Sequence, residues 1–168
     1  MPRGALCSPI LILLAACGGG GGGPIAPVGA PARLSAADLD LPAGTSTVDL
    51  TVALAEVPQP APGLLQVAIG LPAALAVATN DRLFQVQPVA YLDGDTVKDA
   101  FVVVCGDAHN TTAAPLQAGP LFRLRLVTTT PRQPGSYTIT LRDLRAASSA
   151  GDELAVDGAV TNVSVTVH

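Results

Sequence analysis

The chain has 168 residues, 49% apolar, 13% charged and only 3% aromatic, with no tryptophan and a formal net charge of −4. Nine Lys+Arg against 13 Asp+Glu speak against nucleic acid, whose phosphates are held chiefly by Lys and Arg. Of the three cysteines, Cys7 and Cys17 stand near the amino terminus, which leaves Cys105 alone and excludes an internal disulfide in the body of the chain. In chain order, residues 1–8 carry Arg3 and residues 9–16 are apolar, a charged n-region followed by a short h-region as in a secretory signal peptide. The apolar run is far below the roughly 20 residues of a membrane-spanning helix. Six glycines follow at 18–23. Glycine loses the most backbone entropy on ordering and gives no side chain to a core, so this run is expected to be a tether.

Leu14-Ala15-Ala16-Cys17 resembles the bacterial lipoprotein signal, in which a Leu-[Ala/Ser]-[Gly/Ala]-Cys box closes the h-region. The resemblance implies lipidation of the Cys17 thiol, cleavage before it and acylation of the new amino terminus. The membrane is then a partner through the lipid, since two or three chains at about 0.8 kcal/mol per buried methylene hold durably. Gly18, where aspartate would signal inner-membrane retention, points to the outer membrane of the cell envelope. The expected organisation is therefore a signal peptide at 1–16, a lipidated cysteine and Gly/Pro-rich linker at 17–31, and one folded domain at 32–168. The linker, stiffened by Pro24, Pro27 and Pro31, should hold the domain about 20 Å from the bilayer.

Within the domain, apolar residues alternate with polar or small ones. Val48, Leu50, Val52 and Leu54 do so first, then Leu65, Val67, Ile69 and Leu71. Phe122, Leu124 and Leu126, then Tyr137, Ile139 and Leu141, and finally Val163, Val165 and Val167 repeat the pattern. Period-two alternation predicts strands with one face on a core and one in water. Residues 101–105 (FVVVC) are apolar on both faces, as a central strand would be. Turn chemistry falls at 41–44, 58–63, Asp93-Gly94-Asp95, 131–135 and 150–152. Residues 72–78 are readable as one helical turn or a short strand, and 106–119 as a long loop. Many short strands at near-regular spacing predict an all-β sandwich.

No constellation for catalysis stands out. Cys105 sits in an apolar run and reads as core filler. His109 and His168 are the only imidazoles, too few for a dedicated zinc site, and neither a Gly-x-Ser-x-Gly elbow nor a phosphate-cradling loop occurs. Asp93-Gly-Asp95-Thr-Val-Lys-Asp99 invites a calcium reading, but an EF-hand wants glycine sixth and glutamate twelfth, where Lys98 and Val104 stand. No motif supports calcium, and no cofactor or metal site is assigned. Asp152, Glu153 and Asp157 form a second acidic turn. Sugar-binding sandwiches present aromatic platforms. Phe122 and Tyr137 are placed inward by their alternation, which leaves Phe84 and Tyr91 for such a role. The candidate docking face consists of Arg123, Arg125, Thr138, Thr140 and Arg142. These are expected to project to solvent from strands adjoining across the 131–135 turn, with arginine forks offered to a partner's carboxylates.

The order of these pieces resembles the cohesin family, over about residues 33–168. Val48-Asp-Leu-Thr-Val-Ala-Leu-Ala-Glu-Val-Pro58 is similar to its "VTVxLxxVP" strand. Ile69-Gly-Leu-Pro72-Ala-Ala-Leu75-Ala-Val77 is similar to its "Tyr-Asp-Pro-x-x-Leu-x-Val" segment, with Gly70-Leu71 in place of Tyr-Asp. Gly119-Pro-Leu-Phe-Arg-Leu124-Arg-Leu126 and the ending from Ala150 to Val167 resemble later family segments. The resemblance implies a jelly-roll sandwich of about nine strands and a non-enzymatic protein-interaction or assembly module. Its partner would be a dockerin-like or other envelope protein. A carbohydrate-binding module of the same architecture, with a polysaccharide partner, is the alternative.

Overall fold

A computed structural model describes residues 30–106 and 114–168. Cys17, with the proposed signal and most of the linker, lies outside the described residues, as does His109. The described chain is all-β, and no helix in it is long and apolar enough to cross a membrane. Eleven strands occur: β1 (Arg33–Ala36), β2 (Leu39–Leu41), β3 (Thr47–Glu56), β4 (Leu64–Gly70), β5 (Leu75–Val77), β6 (Leu83–Gln85), β7 (Tyr91–Val97), β8 (Ala100–Gly106), β9 (Gly119–Thr128), β10 (Gly135–Ala147) and β11 (Thr161–Val167).

They form a sandwich of two sheets. One has the order β1-β3-β9-β5, with β6 also pairing β9; the other has the order β2-β11-β10-β4-β8-β7. All pairings are antiparallel except the short β2–β11 pair. The expected sandwich is thus observed, and each alternating run faces its apolar side inward. Leu50, Val52 and Leu54 from β3 and Phe122, Leu124 and Leu126 from β9 meet Val67, Ile69, Val103, Ile139 and Val163 from the other sheet, all of them fully buried. Cys105 belongs to this core, and its burial pushes the thiol up to about 12, so no thiolate forms near neutral pH.

Residues 72–78 resolve into a turn, with the Leu75 amide donating to the Pro72 carbonyl, followed by the strand β5. Of the long loop, 114–118 carry no strand, and Leu116 is buried with its amide on the Pro62 carbonyl at 2.7 Å. One expected turn is corrected. Asp93-Gly94-Asp95 lies in the middle of β7, and the chain reverses instead at Lys98-Asp99, where Lys98 takes a φ of +55°.

The turn at 131–135 does not close a hairpin; it carries the chain from β9 in one sheet to β10 in the other. Arg132 holds this crossing by donating to the carbonyls of Leu41, Pro42, Thr45 and His168. The β2–β3 connection and residue His168 are thereby gathered on one guanidinium.

Candidate docking face

The five residues expected to share one face are divided between two. Thr138, Thr140 and Arg142 are brought together on the outer face of the six-stranded sheet, whereas Arg123 and Arg125 stand on the outer face of the opposite sheet. The physical reason is the interlayer crossing at 131–135: alternation tells inward from outward but does not tell which layer a strand joins.

On the five-stranded sheet, Arg125 is committed to Asp49 by two bonds, Nε to Oδ1 at 2.9 Å and an amino group to Oδ2 at 3.3 Å. Arg123 approaches the same carboxylate at 3.8 Å. Both guanidiniums lie over the Phe84 ring, at 5.7 Å for Arg123 and 4.6 Å for Arg125. Phe84 is thus half-buried under arginine rather than offered to a ligand. The hydrogen bond from Arg125 holds the Asp49 carboxyl below its usual range. A carboxylate with a depressed folded pKa stabilises above its unfolded pKa, and that contribution is lost as pH falls through the folded value. In an Asp49→Asn variant, the drop in melting temperature between about pH 7 and about pH 2 is therefore expected to be smaller than in the parent chain. An unchanged drop would mean that the pair contributes nothing to acid sensitivity.

The six-stranded sheet offers a different surface. Its β11 side is polar: Asn162, Ser164 and Thr166 adjoin Thr140, Thr138 and Ser136 in register. Its β8–β7 side is apolar. Val102 and Val104 point outward from β8, which is next to the edge rather than central as its two apolar sides suggested, each half-buried, and Tyr91 and Val97 on the adjacent edge strand β7 are 46% and 43% exposed. Two rows cross the four strands β10-β4-β8-β7 in register. One runs Arg142, Ala68, Val102, Asp95, and the other Arg145, Gln66, Val104, Asp93. Each begins on a cation, passes an outward valine of β8 and ends on a carboxylate, with about 4.8 Å between strands. Arg142 reaches over β4 to Asp99 at 3.0 Å, and a side chain at Gly70 would collide with the Thr140 hydroxyl.

Val97, Val102 and Val104 were missed as site residues, while Tyr91 was weighed only for sugar and Asp93 and Asp95 only for calcium. The signal for the valines was present, because 101–105 is apolar on both sides. In a two-layer sandwich one side of every strand faces solvent, so a doubly apolar strand exposes a stripe that asks for cover. Among the described residues no three His, Cys, Asp or Glu side chains are grouped to hold a metal ion. Of the five aromatic residues only Tyr91 is exposed, which is a poor sugar platform.

No protein-family model matches the chain, and no curated protein matches it by sequence. In structure it is similar to a non-cellulosomal cohesin from the hyperthermophilic archaeon Archaeoglobus fulgidus, at a TM-score of 0.61 and 17% identity over 82% of this chain and 92% of that one. CaCohA2 from Clostridium acetobutylicum gives 0.66 and 19%, over 83% and 92%. A type I cohesin–dockerin complex from Clostridium thermocellum, Coh-OlpA with Doc918, gives 0.66 and 13%, over 83% and 100%. The fold is cohesin-like, a jelly-roll sandwich as its sequence led us to expect, with eleven strands among the described residues where about nine were expected.

Proposed function

We propose that the chain is a non-enzymatic protein-docking module whose partner is dockerin-like and whose docking surface is the outer face of β10-β4-β8-β7. The observation that carries the reading is the outward apolar side of β8, Val102 and Val104, beside the exposed Tyr91 and Val97. Surfaces of this kind, rimmed by charge, favour protein partners over solvent. The arginine-to-aspartate polarity across the face would fix a partner's orientation. Similar folds solved with a dockerin bound, Coh-OlpA with Doc918 and CaCohA2 with CaDoc0917, support the partner class.

The test is calorimetric titration of the purified full chain with a panel of dockerin modules. A dockerin that binds is expected to lose about 30-fold or more in affinity to Val104→Glu, as for an interface centre, and almost nothing to Arg123→Glu on the opposite sheet. Failure of the whole panel, or the reverse pattern between the two variants, would overturn the reading. A polysaccharide that binds instead and is lost with Tyr91→Ala would redirect it to the carbohydrate-binding alternative.

The same proposal puts the domain at the cell envelope, lipid-anchored to the outer membrane. Its support is the Leu14–Cys17 box and the glycine run behind it. Mass spectrometry of the mature amino terminus should find Cys17 carrying acyl chains, and Cys17→Ser should release the protein from the membrane fraction.

A further inference from the structure

The strand β7 ends its sheet, so one side of its backbone pairs with β8 and the other does not. A free edge is a template for another strand, and proteins block it with charge, proline or a bulge. Within β7 there is no proline, and its register with β8 runs unbroken from Tyr91 to Val97. The blocking is done by two aspartates. Asp93 Oδ1 accepts from the Gly94 amide at 2.7 Å, and Asp95 Oδ1 accepts from the Thr96 amide at 2.7 Å. These are alternate residues, and donors two apart on a strand point to the same side. Asp93 is itself held by the Tyr91 hydroxyl, which donates to Oδ2 at 3.2 Å.

The sequence of β7 is also close to symmetric about Gly94. An antiparallel pairing of β7 with a second copy around that residue would set Tyr91 against the counterpart of Val97, an apolar pair made of two exposed residues. It would set Asp93 against the counterpart of Asp95, and like charges directly opposite each other destabilise a sheet. The edge is therefore well shaped for its own copy and opposed to it in two ways, by occupied amides and by facing carboxylates.

We propose that the β7 edge is a latent self-pairing surface, with a second copy of this chain as its occupant, and that Asp93 and Asp95 keep it closed. This stands independently of the docking reading, since it concerns backbone groups and a different partner. The full chain carrying Asp93→Ala and Asp95→Ala is expected to sediment as a concentration-dependent dimer while the parent does not. In the single variants, at concentrations where the chain is monomeric, the Gly94 and Thr96 amides should exchange about tenfold faster as each loses its acceptor. A folded double variant that stays monomeric overturns the proposal. So do amides that keep the parent's exchange rate in the single variants, a readout that remains available should the double variant fail to fold.

Discussion

Truncating Phe122 to alanine is expected to cost about 3–5 kcal/mol, the range for deleting a buried aromatic ring. Phe122 is fully buried in β9, the strand that pairs with β3, β5 and β6 and so ties its whole sheet together. Domains of this kind are stable by about 5–15 kcal/mol in total, so the variant should fall close to the threshold of folding. Thermal melting followed by circular dichroism should show a drop of roughly 10 °C or more. Phe122→Leu, which keeps most of the volume, should cost only about 1.5 kcal/mol. Equal costs for the two substitutions would mean that the layers close over the cavity, contrary to a rigid jelly-roll core.

Gly106→Ala is the second large loss, and it acts through backbone rather than core volume. Gly106 ends β8 with a φ of +118°, a conformation that side chains rarely adopt. An added methyl would also run into the Gly63 carbonyl oxygen and lie 2.9 Å from the Leu64 Cα, both of them main-chain atoms at the start of the neighbouring strand. Neither can rotate away as a side chain would. Strain and overpacking together should cost about 3 kcal/mol or more. Gly44→Ala provides the comparison, because Gly44 has a φ of +86° with nothing within 4 Å of the added carbon. There only the conformational cost of about 1 kcal/mol applies. Chemical denaturation of both variants separates the two causes, and a Gly106→Ala variant no worse than Gly44→Ala would show that the β4–β8 junction yields.

Much of the sandwich was legible because its cause is local: a strand half in water must alternate, and the runs at Val48, Leu65, Phe122, Tyr137 and Val163 do so. What failed was information that only the third dimension holds. Asp93-Gly94-Asp95 has the composition of a turn, yet Gly94 is needed in β7 because a side chain there would meet the Phe101 ring at 2.7 Å. Its two aspartates occupy edge amides rather than reversing the chain. Arg123 and Arg142 were grouped by nearness in sequence, but Arg132 fastens a crossing that sends β10 to the other layer. The candidate face was legible only as a valine run whose second apolar side had no assigned neighbour.

That second side, Val102 and Val104 on β8, is the surface on which a docking partner would sit. Methyl-selective NMR of the full chain, titrated with a dockerin that binds it, should shift the Val97, Val102 and Val104 signals first, while methyls near Arg123 and Arg125 stay in place. Movement confined to the five-stranded sheet, with the valines of β8 unaffected, would contradict the assignment of the docking surface.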